Sequence, residues 1–318
     1  LKEFTIGKND AGQRLDRFAA KAVPLLPPAL AQKYIRLKRI KLNGRGAKRD
    51  VRLAEGDRIQ MYVNDEFFAA PDSDNAFLTI ASPHVDVVYE DENILIADKR
   101  PGLVVHEDES GSANTLVNQI KAYLYQKKEW SPRDENAFAP ALCNRIDRNT
   151  GGLVIAAKNA EALRIMNQKI RDREIRKYYL CVTLGTPEPA EGRLEGFIFK
   201  DEVKKQVFVR RRPVPGAKKA VTFYRTLKTR GGLSLVECEL ETGRTHQIRA
   251  QMADAGHPLL GDGKYGNGEA NRRYGADKQA LYSYRLRFEF TTGAGILEYL
   301  GGREFSVSDV PFVKQYFC

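Results

Sequence analysis

Asn144-Arg145-Ile146-Asp147-Arg148-Asn149-Thr150-Gly151-Gly152 places one acid between two arginines, at a turn that ends in two glycines. The stretch joins two apolar runs, Ala139 to Leu142 and Leu153 to Ala157, which read as strands. Ordinary turn chemistry calls for an Asp or Asn and a Gly there, but not for arginines. Two readings follow. Asp147 ties the turn through its side chain, or it is a working acid held beside cations. A second stretch, Glu241-Thr242-Gly243-Arg244-Thr245-His246-Gln247-Ile248-Arg249, leads into Gly256-His257-Pro258 and Gly261-Asp262-Gly263-Lys264-Tyr265-Gly266. Arg244, Thr245, His246 and Gln247 fall at an expected helix start, and Arg249 falls in its first turns. A basic helix N-terminus suits phosphate. The plainer reading makes His246 a hydrogen-bonded cap and His257-Pro258 a turn.

Several chemistries have no sequence support. No His, Cys or Asp cluster has zinc spacing, and no G-x-x-x-x-G-K loop cradles phosphate. There is no G-x-S-x-G elbow either. Catalysis would fall to Asp, Arg, Tyr and His side chains, with no metal and no cofactor expected. The cysteines, Cys143, Cys181, Cys238 and Cys318, lack metal-like spacing and read as thiols of a reducing cytosol. No apolar run is long enough for a membrane span, and no signal-peptide pattern opens the chain, so a cytoplasmic location is expected.

The net charge of +11 points to a polyanionic partner. Its distribution narrows the choice: from Lys33 to Arg52 there are nine basic residues and a single acid, Asp50. Nucleic acid fits such a cluster. The elements beneath it are legible. A helix begins near Arg14 with Leu15, Phe18 and Ala22 on one face, and prolines 24, 27 and 28 end it. A second helix runs from Ala29, with Lys33, Arg36 and Arg39 off its apolar side. Ile40 to Gly44 is a strand entering an Asn-Gly hairpin turn. Val51 to Asp57 and Arg58 to Val63 read as further strands, and Asn64 to Pro83 as a linker. Beyond it, Val85 to Tyr89 and Ile94 to Ala97 are strands, and Lys99 to Gly102 is a loop. Thr115 to Lys128 forms an amphipathic helix, and Asn159 caps another. Tyr178 to Leu184 is a buried-type strand. Gly192 to Leu240 contains antiparallel strands interrupted by a basic loop, Lys204 to Lys219. Strands outnumber helices, which argues for an α+β sheet domain.

Gly12-Gln13-Arg14-Leu15-Asp16, Ile40 to Gly44, and Leu53 to Asp57 together resemble the S-four-type RNA-binding domain, a module named after a ribosomal protein. Asn144-Arg145-Ile146-Asp147 with Thr150-Gly151-Gly152 resembles the H-R-L-D-x-x-T-S-G signature of the RluA-type pseudouridine synthases. Gly243 to Arg249, Gly256 to Asp262, Tyr265-Gly266, Arg176 to Tyr179 and Lys278 to Leu281 resemble further motifs of that family, in its order. The departures are Asn144 for His, Ile146 for Leu, Gly151 for Ser, and Tyr282 where His is common.

The resemblance implies an α+β protein. A mixed, largely antiparallel pseudouridine synthase sheet would span residues 85–318, preceded by a small α/β RNA-binding domain at 1–76 and a linker at 77–84. It implies cofactor-free isomerisation of uridine to pseudouridine in RNA, with large-subunit ribosomal RNA as the favoured substrate. The alternatives are the same chemistry on tRNA, a catalytically silent ribosome-assembly factor, or a ribonuclease using His246 and His257. By resemblance Asp147 is the essential acid, attacking C1′ or removing a C2′ proton. Arg249 would pair with it, and Tyr179 would stack on the target base, its hydroxyl assisting the C5 proton. Arg145 would help hold the RNA open, and Lys33, Arg36, Lys38, Arg39, Lys41, Arg45 and Arg244 would bind RNA. Thr150, Gly151, Gly152, His246 and Gln247 would support the loops, Arg244 sharing that role. A monomer is the expected state.

Overall fold

The computed structural model describes residues 1–68, 72–107, 112–201 and 203–318. Its N-terminal lobe contains strand β1 (Lys2–Thr5), helices α1 (Leu15–Ala22) and α2 (Pro28–Arg36), then β2 (Ile40–Leu42), β3 (Arg45–Gly46) and β4 (Arg58–Met61). The strands form an antiparallel sheet in the order β1-β4-β2-β3. Phe4, Leu15, Phe18, Ile35, Ile40 and Ile59 make a core of its own under the two helices. In α1 the buried partner of Leu15 and Phe18 is Ala19, and Ala22 is half-buried. Pro28 opens α2 from its first turn, where a missing N–H costs nothing. Asn43-Gly44 makes the expected hairpin turn between β2 and β3. Val51 to Asp57 is not a strand: Arg52 makes one isolated bridge to Arg14, and Leu53 exchanges backbone hydrogen bonds with Gly12 and Gln13.

Two 3₁₀ turns, Asp65–Phe68 and Asp72–Thr79, occupy the segment expected to be a bare linker. Phe77 is fully buried there against Tyr125 and Trp130, so this residue already belongs to the larger core. The N-terminal lobe is fastened to the larger lobe by polar contacts. Asn136 Nδ2 donates to Thr5 O at 2.8 Å and to Asp10 Oδ2 at 2.9 Å. Asn9 Oδ1 accepts Ala160 N–H at 3.1 Å, and Arg164 Nη1 donates to Ala11 O at 3.1 Å.

The larger lobe is built on an 11-stranded sheet. In chain order it comprises β5 (Val87–Glu90), β6 (Ile94–Lys99), α3 (Leu116–Gln126), β7 (Ala141–Leu142), β8 (Gly151–Ala157), α4 (Ala160–Arg171), β9 (Ile175–Leu184), β10 (Glu191–Asp201), β11 (Gln206–Arg210), β12 (Lys218–Arg230), β13 (Leu233–Leu240), α5 (Gln247–Asp254), α6 (Gly268–Arg273), β14 (Leu281–Phe288), β15 (Glu304–Ser306) and α7 (Pro311–Phe317). The sheet order is β11-β10-β12-β13-β9-β14-β8-β6-β5, with β15 beside β14 and β7 beside β8. Every described pairing is antiparallel except β14 with β8. The fold is therefore α+β with a mixed, largely antiparallel sheet. Lys204 to Lys219 is not a simple loop, because β11 lies within it and folds back on β10 as an edge hairpin.

Strand β8 shows how the centre is built. All seven of its residues are buried, and successive side chains enter opposite cores. Val154 and Ala156 pack with Leu116, Ile120 and Leu124 of α3. Leu153, Ile155 and Ala157 pack with Ala162 and Met166 of α4. Covering both faces explains the unbroken apolar run. Asn159 caps α4, accepting Ala162 N–H at 2.8 Å, and Thr115 caps α3.

The two glycines that open β8 are required by its neighbour β14. A Cβ on Gly152 would stand 2.2 Å from Ser283 O, and its φ is +111°. A Cβ on Gly151 would stand 2.4 Å from the Tyr282 ring, whose hydroxyl donates to Asp98 Oδ1 at 2.6 Å. Two departures from the family signature, Gly151 and Tyr282, thus explain each other: the larger ring occupies the space a serine would fill. Gly151→Ser alone is expected to destabilise the protein by about 1–3 kcal/mol through overpacking. In a Tyr282→His background the same change should cost at least ~1 kcal/mol less. Denaturant unfolding of the four variants checks this, and strict additivity would contradict the coupling.

Candidate active site

The connection from β7 to β8 carries the acid-and-arginine stretch, and both of its ends are pinned. At the entry, Asn144 Oδ1 accepts Ile155 N–H at 2.8 Å, imitating a strand partner for β8. At the exit, Thr150 Oγ1 accepts Gln279 Nε2–H at 3.0 Å, and Thr150 N–H donates to Asp147 O at 3.1 Å. Ile146 is buried in the core, while Arg145 and Asp147 line a cleft. Lys99, the last residue of β6 and only 1 % exposed, braces the same loop from below. Its Nζ donates to Arg148 O at 2.9 Å, Leu103 O at 2.8 Å and Arg100 O at 3.1 Å. Burial lowers its pKa to about 8, against the pull of the Asp147 and Asp98 carboxylates.

The cleft measures about 670 Å³, a volume suited to a nucleoside. Asp147, Tyr179, His246 and Arg249 line it, with Arg145 and His106 among the other walls. Arg249, in the first turn of α5, donates through Nη1 to Asp147 Oδ2 at 2.8 Å. Its other edge forms a bidentate pair with Asp262, Nε to Oδ2 at 2.7 Å and Nη2 to Oδ1 at 3.0 Å. The Asp262 side chain is completely buried, that of Arg249 is 8 % exposed and that of Asp147 26 %. This gradient means that the inner carboxylate fixes the guanidinium and the guanidinium presents the outer one to the cleft. Burial opposes the ionised form of Asp262, yet Arg249 and the Lys264 and Tyr265 N–H groups hold its carboxyl below the usual range.

Tyr179, on β9 between β13 and β14, forms an inner wall. Burial pushes its hydroxyl up to about 12, despite a bond to Ser283. Such a phenol stays protonated at neutral pH, which favours its ring over its oxygen as the working part.

Gln247 binds the start of α5 to the sheet. Its Oε1 accepts Thr242 Oγ1–H at 2.8 Å and Arg244 N–H at 3.1 Å, and its Nε2 donates to Val221 O at 3.0 Å and Thr222 Oγ1 at 2.9 Å. Arg244 lines the cleft and donates through Nε to Lys219 O at 3.0 Å, a tie to β12. His246 Nε2 lies 3.8 Å from Asp147 Oδ2. Burial, together with Arg249 and Lys264, lowers the His246 pKa, with Asp147 and Asp262 opposing.

Of the basic residues expected to meet RNA, Arg145 and Arg244 line the cleft, and the others lie on the N-terminal lobe outside its lining. Lys33, Arg36, Lys38, Arg39 and Arg45 are exposed, and Lys41 is half-buried with its ammonium over the Tyr62 ring at 5.1 Å. Asp262, Lys99 and Tyr265 carry roles that the residue pattern did not assign. Asp262 and Tyr265 sat in stretches matched to the family's motifs without a role of their own, and Lys99 in what read as a loop. A lysine two residues beyond the apolar run Ile94 to Ala97, on the same strand, was the available signal for Lys99. Among the described residues no group of three His, Cys, Asp or Glu side chains could hold a metal ion. No described helix is long and apolar enough to cross a membrane.

The sheet is the fold of solved RNA pseudouridylate synthases. Residues 93–254 match that family, and the chain belongs to it. It is an RNA pseudouridine synthase, an isomerase. Over 289 residues it is 31% identical to an uncharacterised RNA pseudouridine synthase of Mycoplasma genitalium, covering 90% of this chain and 88% of the relative. It is 32% identical over 296 residues to a ribosomal large subunit pseudouridine synthase D of Neisseria meningitidis, covering 90% and 74%. Among solved structures, human RNA pseudouridylate synthase domain containing 4 shares the fold with a TM-score of 0.57, at 19% identity over 77% of this chain and 95% of that one.

Replacing Asp262 by Ala removes one partner of a buried ion pair. The variant is expected to lose about 3–5 kcal/mol of stability. Denaturant unfolding measures it, and a loss under ~1 kcal/mol would show that Arg249 does not depend on Asp262.

Proposed function

We propose that Asp147 is the acid that drives uridine isomerisation in large-subunit ribosomal RNA. The observation that carries this reading is the Arg249 guanidinium, fixed from behind by Asp262 and joined to Asp147 at 2.8 Å in a nucleoside-sized cleft. Isomerisation breaks the N1–C1′ bond, turns the uracil and joins its C5 to C1′, and the C5 proton is lost as N1 gains one. Asp147 would act at the sugar, by attack on C1′ or by taking the C2′ proton. Arg249 orients it for either role. The Tyr179 ring stacks on the detached base while it turns.

A uridine inside a stacked helix cannot reach Asp147, so the nucleotide must flip out, at a cost of a few kcal/mol. Arg145, exposed and lining the cleft, would contact the opened strand. The N-terminal lobe, the region 1–76, acts in this reading as an S-four-type RNA-binding domain, with 85–318 as the catalytic domain and 77–84 between them. Lys33, Arg36, Lys38, Arg39, Lys41 and Arg45 supply phosphate contacts, which give affinity and orientation without sequence choice. Ribosomal RNA is favoured by the likeness to the Neisseria ribosomal large subunit pseudouridine synthase D, and a monomer working in the cytoplasm is the setting that goes with it.

Incubating the protein with unmodified ribosomal RNA and mapping pseudouridine by chemically induced reverse-transcription stops tests the reading. Stops should appear at discrete uridines and vanish with Asp147→Asn. Stops that persist in that variant would remove Asp147 from the chemistry, and stops on tRNA alone would redirect the substrate. Separately, the triple variant Lys33→Gln, Arg36→Gln, Arg39→Gln should reduce the slope of log binding constant against log salt by about 2–3. An unchanged slope would put the electrostatic contacts elsewhere.

A further inference from the structure

His246 holds a conformation that few residues other than glycine adopt. It precedes α5 with φ 52° and ψ 25°, in the left-handed region, and its side chain makes no cap to the helix. The expected role as a helix cap is therefore not the one it performs. Its Nδ1 is instead 2.8 Å from the Tyr265 hydroxyl, with the rings edge to face at 5.6 Å. The same hydroxyl accepts the backbone N–H of Val207 at 2.9 Å. Val207 belongs to β11 of the basic edge hairpin and is buried with Ala250 of α5, against Tyr265.

These bonds point to one tautomer. The phenol oxygen accepts Val207 N–H, its one proton needs an acceptor, and His246 Nδ1 is the acceptor these bonds offer. The neutral imidazole then carries its own proton on Nε2, a placement inferred from the network. Nε2 lies 3.8 Å from Asp147 Oδ2, too far for a direct hydrogen bond. An oxygen about 2.8 Å from both atoms would sit to the side of the line joining them, accepting Nε2–H while facing the carboxylate. Tyr265 is itself fixed: its N–H bonds Asp262 Oδ1 at 3.1 Å, and the Arg249 guanidinium lies 5.2 Å from its ring centre. The charged groups around the imidazole are Asp147, Arg249, Asp262 and Lys264.

We propose that His246 is a fixed, uncharged Nε2–H donor for a sugar oxygen of the flipped nucleotide beside Asp147, and that Tyr265 is the positioning residue that holds it so. The inference rests on the assignment of Asp147 as the catalytic acid. It also joins the site to the basic hairpin, because the hydroxyl that sets His246 is the one that anchors β11. The left-handed backbone at His246 is what turns the ring from the helix end toward the cleft.

Single-turnover isomerisation and RNA binding measured side by side test this. Tyr265→Phe keeps the ring against Arg249 and removes only the hydroxyl. It should slow isomerisation about tenfold while the Kd for RNA stays within about twofold. His246→Ala should be slowed at least as much, His246→Gln should recover part of the rate because its amide offers an N–H in a similar place, and Tyr265→Phe should add nothing to His246→Ala. A normal rate in Tyr265→Phe, a loss expressed only in Kd, multiplicative losses in the double variant, or a Gln variant no faster than Ala would each overturn the proposal. If His246→Ala does not fold, the Tyr265→Phe rate and the Gln variant decide alone. Asp147→Asn runs alongside: if it isomerises normally, the underlying assignment has failed. If it is inactive while Tyr265→Phe is normal, only the present inference has.

Discussion

One guanidinium shared by two carboxylates organises this molecule. Arg249 is gripped along one edge by Asp262, which is fully buried, and reaches Asp147 with a remaining nitrogen. A charge so deep is tolerated only because it is paired and hydrogen-bonded on both sides. Asp262 also gathers the backbone of Lys264 and Tyr265, so one buried acid sets the guanidinium and the loop beside it. The outer carboxylate inherits its position from that arrangement, which is how a flexible acid on a connecting loop becomes a preorganised group.

The rest of the sheet serves that contact. The loop bearing Asp147 leaves β7 and enters β8 where β8 runs parallel to β14, the one parallel pairing described. Two glycines let the chain pass against β14 there, and the Lys99 ammonium ties the loop's Arg148 carbonyl to those of Arg100 and Leu103. Tyr179 reaches the cleft from β9 on the other side of β14. Helix α5 brings Arg249 and packs against β11 and β12, so the helix that carries Arg249 and the basic edge hairpin share one base. The N-terminal lobe keeps its own core, against which Ala137 of the larger lobe packs, and meets that lobe through side-chain amides, the Arg164 guanidinium and backbone.

Much of this was written in the sequence at short range. The acid between arginines, the basic helix start at Arg244 to Arg249, the Asn43-Gly44 hairpin and the Asn159 cap are local signals, and each lies where its residue types place it. What escaped depends on partners distant in the chain. Asn144 was unexplained as a residue but pairs with the β8 backbone, a role visible only once the loop has turned. Gly151 and Tyr282 looked like unrelated departures and are one steric solution. Asp262 sat among glycines that read as turns, and nothing in its neighbours announces a guanidinium 13 residues back. Alternating apolar residues suggested strand for Val51 to Asp57, where the hydrogen bonds run to Gly12 and Gln13 instead of a sheet partner. The polar composition of Lys204 to Lys219 concealed an edge strand, since an edge is half solvated and does not require an apolar face.

The central claim is that Arg249 matters by orienting Asp147 while held by Asp262, a geometry that only a forked, planar cation supplies. The direct measurement is the single-turnover rate of tritium release from uridine labelled at C5 in RNA, comparing the unaltered protein with Arg249→Lys at saturating enzyme. A lysine keeps the charge but cannot span both carboxylates. The rate is expected to fall at least about a hundredfold with RNA affinity within about twofold. An Arg249→Lys protein that folds, binds RNA and releases tritium at the original rate would contradict the account.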